Sequence, residues 1–153
     1  MRRSSYGAVP VVIGRILLAL IFILSGLEKI FAWNSELAYL TSRGMPATGF
    51  FLFVALLIEL IGGLMLLFGI KPGLAAGVLF LYLIPVTVVM HGFWTVTDPA
   101  MHAVMQDMMV HFFKNVAIMG GLLAVVGYEA AVRAARFSHD EKRDETTGKS
   151  EAA

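Results

Sequence analysis

Four segments of this chain, residues 8–31, 48–70, 72–94 and 110–132, each run for more than about twenty residues with few charged side chains. A helix rises 1.5 Å per residue and the hydrocarbon of a bilayer is about 30 Å thick, so about 20 apolar residues cross it. Apolar residues make up 58% of the chain and mean hydropathy is +0.78, above the ~45–50% apolar share of soluble domains. The pattern predicts an all-α membrane protein, a four-transmembrane-helix bundle with both termini in the cytoplasm (N-in/C-in). Residues 1–137 form the transmembrane domain, and the polar residues 138–153 are expected as a disordered cytoplasmic tail.

The connections set the topology. Gly69-Ile70-Lys71-Pro72-Gly73 reads as a tight turn, since Gly ends a helix and Pro opens the next, so the second and third spans form an antiparallel hairpin. Residues 34–47 accommodate a short surface helix at 35–42 before the breaker Gly44-Met45-Pro46. Residues 95–109 are the longest connection. Asp98-Pro99 can open a helix there, and Met101, Val104, Met105 and Met108 at helical spacing predict a separate interfacial amphipathic helix. Arg2, Arg3, Lys71, Arg133, Arg136, Lys142, Arg143 and Lys149 fall on one side, against Lys29 and Arg43 on the other, and the richer side is read as cytoplasmic. Trp33 and Trp94 fall at the opposite interface, as belt residues do. The first apolar run is too long for a signal-peptide core and no A-x-A site follows, so it reads as a retained span. Gly62-Gly63-Leu64 with Gly69 recurs as Gly120-Gly121-Leu122 with Gly127, which close helix packing in lipid accounts for.

Polar side chains inside the spans are the candidates for chemistry, because a charge near the centre of a spanning helix costs about 2.5–3.5 kcal/mol on insertion scales. Glu59 lies about eleven residues into its span. It reads either as a proton-carrying or ligand-binding acid in a cavity, or as half of a buried ion pair that orders the bundle. Lys114 and Arg15 are its two expected partners. Arg15 can also snorkel to the near interface. Glu28 and Lys29 are adjacent and point about 100° apart; Lys29 reaches the headgroups easily, and Glu28 either faces the bundle or joins Lys29 as a second interfacial anchor. His91 ends the third span and His111 begins the fourth, at similar depth. Imidazoles ligate haem iron, but no second matched pair exists, so haem is not expected. Lys114 and Asn115 follow His111 by about a turn and form a polar group fit for the carbonyl oxygens of a quinone, a lipid headgroup or a partner protein.

The ordered series of short motifs resembles the DoxX family. It comprises Arg15-Ile16-Leu17-Leu18, Ser25-Gly26-Leu27-Glu28-Lys29, Tyr39-Leu40, Gly44-Met45-Pro46, Glu59-Leu60-Ile61-Gly62-Gly63, Leu67-Phe68-Gly69, His91-Gly92-Phe93-Trp94 and Phe113-Lys114-Asn115-Val116-Ala117 with Gly120-Gly121-Leu122-Leu123. The resemblance implies a multi-pass protein of the bacterial inner membrane. The family takes its name from a subunit of a thiosulfate:quinone oxidoreductase, and some members are linked to oxidative-stress complexes. Arg15, Glu28, Lys29, Glu59, His91, Lys114 and Asn115 match its recurring polar pattern, and of these Glu59, Lys114, Asn115, His91, Glu28 and Arg15 are the quinone- or ligand-binding candidates.

The absence of cysteine excludes a disulfide, a Cys-ligated iron–sulfur cluster and a thiol relay within the chain. No basic patch interleaved with aromatics points to nucleic acid. No cofactor is firmly predicted, a quinone is compatible with these residues, and no metal site is expected. Lipid is the certain partner of such a surface; a protein partner in a redox complex and a homo-oligomer are both compatible with it. Three functions stay open at this point: a quinone-linked or oxidative-stress membrane subunit, a non-catalytic scaffold or assembly factor, and, less well supported, a small transporter, for which no broken-helix pair is present.

Overall fold

The structure, a computed structural model, describes residues 8–151; Arg2 and Arg3 lie outside them. Its five helices are α1 (Ala8–Phe31), α2 (Trp33–Ser42), α3 (Thr48–Phe68), α4 (Pro72–Met90) and α5 (His102–Glu151). Four of these, all but α2, contain stretches long and apolar enough to cross a membrane. Helices suit that environment because each satisfies its own backbone N–H and C=O groups where no water can.

The α3–α4 turn forms as its residues dictate. Gly69 ends α3 at φ 69°, its N–H reaching Leu66 O at 3.3 Å while Ile70 N–H reaches Met65 O at 2.9 Å, the crossed pattern of a Schellman cap. Pro72 then opens α4. At the other end of the bundle α1 passes almost directly into α2 through Ala32, whose N–H bonds Glu28 O at 2.8 Å. This is the expected short surface helix, and none of its residues is fully buried. Thr41 Oγ1 donates to Thr48 Oγ1 at 3.3 Å and ties it to the start of α3.

Two expectations are corrected. Residues 95–109 do not form a separate amphipathic helix. Two short 3₁₀ turns, Phe93–Thr95 and Pro99–Met101, lead straight into α5, which begins at His102 and continues through the fourth span. Asp98 does act as a cap, accepting the Ala100 N–H at 2.8 Å. Residues 102–119 then contain neither Gly nor Pro, so nothing stops the helix once it has begun. At its other end α5 remains helical as far as Glu151, where composition suggests an irregular tail. Extending a formed helix adds one hydrogen bond per residue fixed, without a new nucleation cost.

The spanning helices form a ring in which α1 packs on α3, α3 on α4 and α4 on α5, and α5 returns only loosely to α1. Consequently α3 and α5 stand diagonally, with no Cα atoms within 8 Å of each other, and so do α1 and α4. The core comprises Ala19, Phe22, Leu66, Ala75, Ala76, Leu79, Leu83, Leu122 and Val125. Helices approach closely at three glycines of α1 and α3: a Cβ on Gly26 would stand 2.7 Å from Leu60, one on Gly62 2.9 Å from Leu79, and one on Gly63 2.8 Å from Ile23.

Candidate functional site

Two polar clusters occupy the bundle. The inner one sits where α1, α3 and α4 meet. Glu59, 5% exposed, receives a hydrogen bond from the Tyr82 hydroxyl on Oε1 at 2.7 Å. Its Oε2 faces Lys29 Nζ at 2.8 Å. That approach is angled, so charge rather than an aligned hydrogen bond holds it. Lys29 also donates to Ser25 Oγ at 3.0 Å, one turn earlier on α1. Each carboxylate oxygen therefore has a partner on a different neighbouring helix, and the ammonium is shared between an acid and a hydroxyl. A charged pair survives in a low-dielectric interior on such terms.

The expected partners of Glu59 are thus replaced. Lys114 is on α5, diagonal to α3, and instead donates to His111 Nδ1 at 2.7 Å. Arg15 lies by Gly69: a Cβ on that glycine would stand 2.7 Å from its Nη1. Ten residues along α3 separate Gly69 from Glu59, about 15 Å of helix. The negative end of the α3 dipole favours a cation there. Lys29 leaves the place expected of it: Glu28 is exposed and Lys29 turns into the bundle. Adjacent helical residues cannot both face the core, and only Lys29 has an acid to meet.

The second cluster lies at the end of the bundle where α4 leaves and α5 enters. His91 and His111 stack with ring centroids 5.2 Å apart and planes 15° from parallel. Lysine only donates, so the Lys114 contact makes His111 Nδ1 an acceptor and leaves the proton of the neutral ring on Nε2. Nε2 faces Asp107 Oδ1 at 3.6 Å. Because α4 and α5 run antiparallel, Thr87, one turn before His91, and Asn115, one turn after His111, share a level one turn deeper. Both are buried, at 2% and 7% exposure, and Thr87 Oγ1 has no hydrogen-bond partner. Phe93, Trp94, Phe112 and Phe113 border this end, with Phe93 to Phe112 at 5.6 Å and Trp94 to Phe112 at 5.7 Å, both edge to face.

Of the sequence candidates, the structure brings His91, Lys114 and Asn115 to one end of the α4–α5 pair and places Glu59 in the inner cluster. Arg15 and Glu28 join neither. Sequence reasoning passed over Tyr82, Ser25 and Thr87. Ser25 carried a signal, standing one turn from Lys29, and Tyr82 and Thr87 are polar groups on an otherwise apolar helix.

The DoxX family model matches residues 11–92, and the SURF4 family model matches residues 53–145. A relative in Escherichia coli strain K12, inner membrane protein YphA, is 29% identical over 132 residues, covering 83% of this chain and 91% of the relative. No solved structure matches. That relative and the four membrane-crossing helices make this a multi-pass inner-membrane protein. With more than half its length matched, from the start of α1 through the Glu59 cluster to His91, the chain belongs to the DoxX family.

Proposed function

We propose that this protein is the membrane subunit of a quinone-linked redox system, and that it holds a quinone headgroup at the α4–α5 end. One observation carries the reading: Thr87 Oγ1 is buried without a partner one turn before His91, whose ring stacks on that of His111, and the buried Asn115 lies one turn beyond His111. A buried polar group without a partner costs about 1–3 kcal/mol, so its presence calls for a ligand to satisfy it. Thr87, Asn115, Lys114 and the Nε2–H of His111 are donors suited to quinone carbonyl oxygens, and Phe93 and Phe112 offer aromatic edges to its ring. The bound quinone would supply the two-electron chemistry that a chain without cysteine lacks. Lys114 and His111 would orient its oxygens, and a partner protein would deliver or accept the electrons.

A second reading, a non-catalytic scaffold, draws on the inner cluster, where Lys29, Glu59, Tyr82 and Ser25 satisfy one another. Extraction of the protein purified in mild detergent separates the two. Quinone should be recovered with it, and a short-chain quinone should quench Trp94 fluorescence saturably. Asn115→Leu and His111→Leu should weaken that quenching several-fold. A purified protein with no extractable quinone and no saturable quenching would leave the scaffold.

In this reading the Lys71 and Arg133 end faces the cytoplasm, following the Lys and Arg excess there. Reporter fusions after Met45, Lys71 and Val104 should read outside, inside and outside. An inside reading at Val104 would overturn that orientation.

A further inference from the structure

The loose side of the ring, between α1 and α5, is a groove of about 530 Å³. We infer that it is a binding site for one anionic phospholipid, with an acyl chain lying in the groove and the phosphate on Arg15. The groove extends along α1 from Pro10 to Ile21, about 16 Å of helix, close to the depth of one leaflet of a bilayer with about 30 Å of hydrocarbon. Gly14, Gly121 and Ala124 contribute small side chains to it, and Leu17, Leu18 and Ile21 add apolar surface. Arg15 is the one lining residue with a polar side chain.

The chemistry of Arg15 identifies the occupant. Its guanidinium lies against Gly69, at the turn that ends α3 and so at the border of the bundle, where lipid headgroups stand. Among the described residues no carboxylate forms an ion pair with it, and its Nε is buried without a hydrogen-bond partner. A fork of donors at the Gly69 turn, with about 9 Å of apolar groove continuing beyond Arg15 to Ile21, matches a phosphate esterified to an acyl chain. A second copy of this chain is a poorer match. The acids of its spanning segments are Glu28, at the far end of α1, the buried Glu59, Asp107, near the far end of α5, and Glu129, packed beside Gly73. None is exposed at the depth of Arg15. The inference is independent of the quinone reading, since the two sites share no residue.

The test uses the full-length protein carrying Trp33→Phe, Trp94→Phe and Ile118→Trp, so that the one tryptophan reports from the groove. It is reconstituted in phosphatidylcholine vesicles to which brominated phosphatidylglycerol or brominated phosphatidylcholine is added. Brominated phosphatidylglycerol should bind with roughly five-fold preference, the ~1 kcal/mol that one basic side chain contributes towards anionic lipid. Arg15→Gln should bring the ratio to one, and Arg15→Lys should keep most of it. Gly14→Leu, at a position with open space above it, should reduce quenching by both lipids. A ratio of one with Arg15 in place, a ratio unchanged in Arg15→Gln, or quenching indifferent to Gly14→Leu would each overturn the proposal. So would the absence of quenching by either lipid, the mark of a second copy seated in the groove.

Discussion

Glu59 and Thr87 are buried to a similar degree, at 5% and 2% exposure, yet they stand in different company. Around Glu59 two neighbouring helices contribute partners: Lys29 from α1 and Tyr82 from α4, with Ser25 of α1 holding Lys29 in place. Around Thr87 the neighbouring polar groups of α4 and α5 leave its hydroxyl unanswered. The difference teaches how a four-helix bundle divides its polar residues. A charge in the middle of the bundle, beyond the reach of lipid headgroups, must be neutralised within the protein, because no ligand is guaranteed to arrive there and a stranded ion is costly. A neutral hydroxyl or amide can be left for a ligand, since its penalty is smaller. The charged cluster therefore acts as a structural keystone, and the neutral one is the place to look for binding.

The largest effect expected from this contrast is at Lys29. Lys29→Met strands the Glu59 carboxylate and should destabilise the folded protein by about 3–5 kcal/mol, the usual cost of breaking one side of a buried pair. Adding Glu59→Gln should restore part of that loss, because the stranded charge goes with it. Thermal melts in one detergent measure both. Strictly additive losses in the double variant would show that the two side chains act independently.

A smaller effect is expected from the two glycine pairs, which have the same sequence and different surroundings. Gly62→Leu drives a side chain into Leu79 and should cost about 1–3 kcal/mol as an overpacked core position. Gly120→Leu meets nothing within 4 Å, so its melting temperature should stay near that of the parent or rise slightly, with the better helix former in place. Equal losses at both positions would remove the distinction between a packed and an open glycine.

The smallest effect on stability is expected at Thr87. Thr87→Val removes a buried hydroxyl that has no protein partner, so it should change stability by less than about 1 kcal/mol, in either direction. The same substitution should weaken quenching of Trp94 by a short-chain quinone. A large loss of stability would show that the hydroxyl is engaged in the fold and would draw the two clusters back towards one type.

The amino-acid sequence by itself determined the four spanning helices, the hairpin turn at Gly69-Pro72, the surface helix before Thr48 and the ordered motifs of the family. These rest on local properties: the length of apolar runs, the φ that glycine tolerates, and the backbone bonds that lipid forces a segment to satisfy internally. It also singled out Glu59 as the costly residue of the second span, because a lone charge in an apolar run is conspicuous. Only the tertiary structure decided what answers that charge. The partner is Lys29, because α3 lies beside α1 and diagonal to α5, and helix neighbours are a property of packing that no periodicity along one strand of text records. Thr87 escaped notice for the same reason: a threonine in an apolar helix is unremarkable until the neighbouring helix is seen to leave its hydroxyl without a partner. The continuity of α5 from His102 through residue 109 into the fourth span was half legible. The absence of Gly and Pro after His102 favoured it, but the same methionine spacing fits a surface helix and a spanning one, and what distinguishes them is whether α4 lies alongside.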